Sequence, residues 1–212
     1  MTKKKVYLLG SIVTIVTLLV GIIAAEFILR LKNSDMTNYD IEMWRYAKEL
    51  KVSSPNPILG HEHIPQTEAI LQSTKIRINS LGLRGPEITL QDSIRRILFL
   101  GSSITLGWGV EEENTVSRAI EKRMVAAWHD VQVINGGVGN YNTERYVEFF
   151  LTKLSGLNPT DIVMQYFIND AEILKSGGGN WFLRNSQLTV TLWIAMNRVF
   201  QGGSEASLVD FF

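Results

Sequence analysis

The first pattern along the chain is an uncharged apolar run from Val6 to Ala25, preceded by Lys3, Lys4 and Lys5. Crossing the hydrocarbon core of a bilayer as a helix takes about 20 residues, and the run has that length. The apolar region of a cleavable signal peptide is shorter, about 7–15 residues. Ile23-Ala24-Ala25 is also a poor small-x-small cleavage site. The run therefore reads as a retained anchor, residues 1–32, that meets the lipid bilayer through residues 6–25. Arg30 and Lys32 follow it but are offset by Glu26 and Asp35. By the positive-inside rule the N-terminus is expected in the cytoplasm. The rest is then a periplasmic or extracellular domain on a single-pass plasma-membrane protein.

Residues 33–93 are polar and mixed, and read as a juxtamembrane linker and lead-in segment. Asp40 to Lys51 suits a short helix with Ile41, Trp44, Ala47 and Lys48 on one side, and Pro55 and Pro57 lie beyond its end. Lys75 to Asn79 alternates like a half-exposed strand. Ser80-Leu81-Gly82 and Arg84-Gly85-Pro86 are turn signals on either side of Leu83.

From residue 94 a strand–helix alternation sets in. Ile94 to Leu100 reads as a strand and Thr115 to Trp128 as a helix. Val131 to Ile134 is the next strand. A helix capped by Asn142 or Thr143 follows, burying Tyr146, Val147, Phe150, Leu151 and Leu154. Asp161 to Phe167 is the third strand. This alternation predicts an α/β domain over 94–212, a parallel sheet with helices on both faces. After Asp170 the pattern fades and Gly177-Gly178-Gly179 reads as a flexible break. Residues 186–200 read as an apolar helix, although Leu188, Val190, Leu192 and Ile194 also alternate as in a strand.

Charge then narrows the classes. Lys+Arg and Asp+Glu are both 21, so no bulk attraction to nucleic acid is expected. Cysteine is absent, which excludes disulfides and thiolate metal sites. No Gly-x-x-x-x-Gly-Lys phosphate loop occurs, and His61-Glu62-His63 has no third ligand beside it. Neither cofactor nor metal is expected.

Ligands of a doubly wound sheet bind beyond the carboxyl ends of its strands. Three segments follow those ends: Gly101-Ser102-Ser103-Ile104-Thr105, Asn135 to Thr143, and Ile168-Asn169-Asp170. They bring a hydroxyl, a glycine-rich backbone and a carboxamide to one edge. Acyl transfer needs such a nucleophile, with donors aimed at the developing oxyanion.

In these three blocks the chain resembles the SGNH/GDSL hydrolase family. Gly101-Ser102-Ser103 is similar to the nucleophile block, Asn135 to Thr143 to the second, and Phe167-Ile168-Asn169-Asp170 to the third. Ile78 to Gly85 resembles a lead-in of membrane-anchored members, so the resemblance spans roughly residues 55 to 175. It implies a flavodoxin-like, SGNH-type three-layer domain. It implies Ser103 as nucleophile and one oxyanion donor through its own N–H. A backbone N–H near Gly139 and Asn140 would be the second donor and the Asn169 side chain the third, with Asp170 bracing the loop.

Four positions depart from the family pattern. Ser102 replaces an Asp, Asn140 sits at the oxyanion Gly, and Phe167 replaces a Gly. The family's late Asp-x-x-His block is absent, so the domain reads as incomplete at its C-terminal end. His129 is expected in the turn entering the second strand, on the edge away from Ser103. The resemblance implies an esterase or O-acyl transfer domain acting on an exported ester, its base supplied from beyond Phe212. The competing expectation is a catalytically inactive subunit that anchors or scaffolds a membrane complex among other membrane-protein subunits.

Overall fold

The structure is a computed structural model and describes residues 3–91, 93–128, 130–171 and 180–200. His129 and the Gly177–Gly179 break lie outside the described residues. The protein is mixed α/β, with one long N-terminal apolar helix and a three-stranded parallel sheet.

Helix α1, Lys3–Lys32, is about 45 Å long at 1.5 Å per residue. None of its residues is buried, and among the described residues it is the one helix long and apolar enough to cross a membrane. Its carboxyl end is clasped by two further helices, α6 (Trp181–Asn185) and α7 (Gln187–Phe200). The Glu26 carboxylate accepts from Ser186 Oγ at 2.9 Å, Gln187 N at 3.1 Å and Leu188 N at 2.9 Å. It thereby satisfies amides that the start of α7 leaves without helical partners. Arg30 Nη2 donates to Asn185 O at 3.0 Å, where α6 ends. The variant Glu26→Ala is expected to cost about 1–2 kcal/mol, as loss of a helix cap does. Faster hydrogen exchange at the Gln187 and Leu188 amides, with the amides of Arg95–Gly101 unchanged, would be the measured sign.

The sheet has the order β6-β5-β7, built from β5 (Arg95–Gly101), β6 (Val131–Gly137) and β7 (Asp161–Gln165). Both pairings are parallel. Helix α4 (Val116–Trp128) covers one face, with Ile120 and Met124 against Ile97, Phe99, Val131 and Val133. Helix α5 (Thr143–Phe149) covers the other, where Tyr146 and Phe149 join Leu98, Leu100 and Ile134. The expected helix continues past α5 as a wider turn, Phe150–Leu154, with π spacing. Phe149 and Leu154, five residues apart, therefore face the core, while Leu151 is 61% exposed and Val147 also stays largely outside.

Two expected strands change. The second runs on to Gly137, so Asn135, Gly136 and Gly137 are sheet rather than loop. The third stops at Gln165, and its Ile162, Val163 and Met164 are exposed because β7 is an edge strand that no helix among the described residues covers.

Residues 33–93, expected as linker, hold structure of their own. Helix α2 (Tyr39–Leu50) leads into the hairpin of β1 (Lys51–Ser53) and β2 (His61–His63). A second hairpin pairs β3 (Glu68–Leu71) with β4 (Thr74–Arg77), which alternates between buried and exposed positions as its sequence predicts. Helix α2 is buried on two sides rather than one. Met43, Tyr46 and Leu50 pack on the second hairpin and Leu106, and Ile41, Trp44 and Ala47 pack on Val190 and Ile194 of α7. Residues 186–200 are thus helical, with the 190/194 stripe inward.

Candidate active site

Strand register decides which loops meet. Gly101 pairs with Gly137 on one neighbour and with Gln165 on the other. The segments after these residues accordingly leave from a single edge: Ser102–Ser103, Val138–Asn140 and Tyr166–Asp170. They are tied together by Val138 N donating to Gly101 O at 3.2 Å and by Thr105 Oγ1 donating to Gln165 Oε1 at 3.1 Å.

Ser103, partly exposed, opens the one-turn helix α3, Ser103–Leu106. That turn lies hard against the end of β6: a Cβ on Gly137 would sit 2.1 Å from Leu106 N. Asn140 adopts the left-handed region at φ 65, which Asn tolerates better than most residues. Its backbone N–H donates to no protein group among the described residues. Asn169 lies on the 3-10 turn Ile168–Ala171, and its side chain is outside the described groups. Asp170 is buried and its Oδ2 accepts from Phe167 N at 2.9 Å, closing that turn.

Behind these loops is a buried polar layer that the sequence reading did not single out. Lys51 Nζ donates to Gly139 O at 2.7 Å, and His61 Nε2 meets the same oxygen at 3.0 Å. A carbonyl only accepts, so His61 carries its proton on Nε2. Gly139 N donates to Tyr46 Oη at 2.9 Å. Tyr46 Oη lies 2.6 Å from His63 Nε2, and His63 Nδ1 lies 3.0 Å from Gly82 O. His63 must donate from Nδ1, which leaves Nε2 to accept the Tyr46 hydroxyl proton. A Cβ on Gly139 would lie 2.6 Å from Tyr46 Cε1, so only glycine fits this close approach.

The lead-in segment secures the Ser103 side. Asn79 Oδ1 accepts from Leu81 N at 2.9 Å and Leu83 N at 3.0 Å, folding the turn that presents Arg84. Buried Arg84 donates from Nη1 to Leu106 O at 2.9 Å and Gly107 O at 2.6 Å, and from Nη2 to Val110 O at 2.6 Å. One sequence signal could have exposed this layer. His61 and His63 alternate with Glu62, and in β2 the two imidazoles are the inward residues. Their rings are occupied by Gly139, Tyr46 and Gly82 rather than directed at Ser103.

Burial pushes the ionisable members of this layer toward neutrality. Burial lowers the His63 imidazole to about 3, and it takes His61 well below its usual value, with nearby Lys51 adding to the effect. Burial also lowers the Lys51 ammonium, with Arg145 repelling it, and raises the Tyr46 phenol. For His63 the unfolded chain takes up a proton near pH 6.5 while the folded chain refuses it until about 3. Stability is therefore complete above about pH 6.5 and is lost progressively as pH falls toward 3. Thermal melting of the full-length protein in detergent at pH 7.5, 6.5, 5.5 and 4.5 is expected to give nearly equal midpoints for the first two and falling ones below.

No protein-family model matches this chain, and no curated protein matches it either.

Proposed function

We propose that this chain is a membrane-anchored acyl-ester hydrolase or O-acyl transfer domain of the SGNH/GDSL type, with Ser103 as nucleophile. The single observation that supports this reading is the register Gly101–Gly137–Gln165, which brings the Ser103, Asn140 and Asn169 segments to one sheet edge. Ser103 Oγ attacks the acyl carbon of the ester and loses its proton to a general base. The carbonyl electron pair moves onto oxygen, and that oxyanion accepts from Ser103 N–H, Asn140 N–H and the Asn169 carboxamide. Collapse expels the alcohol, which takes up a proton, and water then frees the acyl group from Ser103. His61 and His63 are engaged elsewhere, so this reading assigns the base to a group outside the described residues. The substrate class is an ester on the outer side of the membrane. Labelling of the full-length protein in detergent by a fluorophosphonate, located by mass spectrometry, tests the reading. An adduct on Ser103 supports it; no adduct, together with no turnover of p-nitrophenyl acetate, rejects it.

A second reading, a non-catalytic subunit of a membrane assembly, is favoured by the exposed edge of β7. Ile162, Val163 and Met164, followed by Tyr166, Phe167 and Ile168, form an apolar run that a single soluble domain rarely leaves open. Stable co-purification with a large complex in mild detergent, with Ser103 unlabelled, favours this reading over the first.

A further inference from the structure

Lys51 is an anomaly in this fold. Its side chain is buried, and among the described residues no carboxylate pairs with it. A buried ammonium without a counter-ion is costly, which is why burial drives Lys51 toward its neutral amine. Its contacts are the Gly139 carbonyl at 2.7 Å and the face of the Tyr46 ring, 4.3 Å from its centroid. The Gly139 carbonyl belongs to the same peptide unit as the Asn140 N–H. No cis peptide occurs among the described residues, and in a trans peptide C=O and N–H point in opposite directions. Holding Gly139 O inside the buried layer therefore turns Asn140 N–H away from it, where that amide has no protein partner among the described residues. The preceding peptide is pinned as well, through Gly139 N to Tyr46 Oη.

We infer that Lys51 is a positioning residue for the oxyanion site: by donating to Gly139 O it orients and polarises the Gly139–Asn140 peptide, making Asn140 N–H a stronger donor. His61 Nε2, 3.0 Å from the same oxygen, acts in the same sense. Hydrogen bonds in a chain polarise one another, and both an amine N–H and an imidazole N–H donate in their neutral forms. The layer thus does for Asn140 what a rigid glycine loop alone would leave to chance, holding a donor fixed before charge develops. The inference rests on the proposed hydrolase reading only for its catalytic consequence; the effect on the peptide itself is independent of it.

The experiment separates the two. Full-length protein carrying carbonyl-13C glycine and 15N asparagine gives correlated amide signals only from Gly-Asn pairs, which are Gly139-Asn140 and Gly179-Asn180. Lys51→Met keeps the aliphatic stem and removes the donor, whereas Lys51→Arg supplies an N–H donor at the same place. The Asn140 amide proton is expected to move upfield in Lys51→Met and to return toward its original position in Lys51→Arg, with Asn180 as the unmoved control. The fluorophosphonate rate at Ser103, and kcat for p-nitrophenyl acetate, should fall about tenfold or more in Lys51→Met with KM little changed. Removing an oxyanion donor outright costs about 10²–10³ in kcat. An Asn140 signal that stays in place in Lys51→Met overturns the inference. A shifted signal with Ser103 inert leaves the peptide effect standing and rejects the hydrolase reading. Should Lys51→Met fail to fold, Lys51→Leu, which also removes the donor, decides, and an Asn140 amide that stays in place in it overturns the inference.

Discussion

Ser103→Ala in the full-length, detergent-solubilised protein is expected to lose ester turnover by about 10⁶-fold, the scale seen when a serine nucleophile is removed. Covalent fluorophosphonate labelling should vanish with it. The fold should survive, because Ser103 is partly exposed and the turn it opens is held by other groups. Leu106 N donates to Ser102 O at 2.9 Å, and Gly107 N donates to Ser103 O at 3.0 Å, through backbone atoms alone. Melting temperature is thus expected to match the parent protein. Turnover that persists in Ser103→Ala sinks the nucleophile assignment whatever the substrate. The neighbouring serine serves as the control. Ser102 is nearly buried and precedes α3 without a side-chain cap bond, so Ser102→Ala should keep its labelling.

The largest stability effect is expected at Arg84. Its guanidinium satisfies three carbonyls of the segment after Ser103, Leu106 O, Gly107 O and Val110 O, each at 2.9 Å or less. The variant Arg84→Met leaves those acceptors without their donor in a buried place. A buried polar group left unsatisfied costs about 1–3 kcal/mol. Relaxation and water entry recover part of that, so a loss of about 3 kcal/mol is expected, measured as a lowered thermal midpoint. The loss should also register at Ser103, because the same bonds hold the loop that begins with α3. Labelling at a temperature where the variant is still folded is expected to slow. A variant as stable as the parent would remove Arg84 from its structural role. Arg84→Lys should rescue poorly, since an ammonium cannot span three carbonyls with a planar fork.

These expectations draw on unequal parts of the sequence. The periodicity of α4, β5 and α5 is visible from residue 94 onward, and Asn142 caps α5 as its position predicts, accepting from Arg145 N at 3.0 Å. The third strand was harder to read. Asp161 to Phe167 reads as a strand, but it ends at Gln165 and its Ile162 and Met164 are exposed, because burial depends on neighbours that local pattern does not encode. Within residues 33–93 the helix Tyr39–Leu50 and the strand Thr74–Arg77 were legible, and the other short strands were not. Three-residue strands such as Lys51–Ser53 and His61–His63 carry too little periodicity to be seen, so the packing of this segment stayed hidden.

From the sequence by itself came the apolar run long enough to span a membrane, the alternation that makes a parallel sheet, and the three loops at its carboxyl edge. Each is a matter of local pattern, set by residues within one helix or strand of each other. Only the tertiary structure decided that Lys51, Tyr46, His61 and His63 stand behind Gly139 and that Arg84 holds the segment after Ser103. Those contacts join residues 17 to 93 positions apart. The physical reason is desolvation: a lysine or histidine carries no mark of its surroundings in the chain. It becomes a buried donor only when packing removes water and leaves it a single carbonyl to bind.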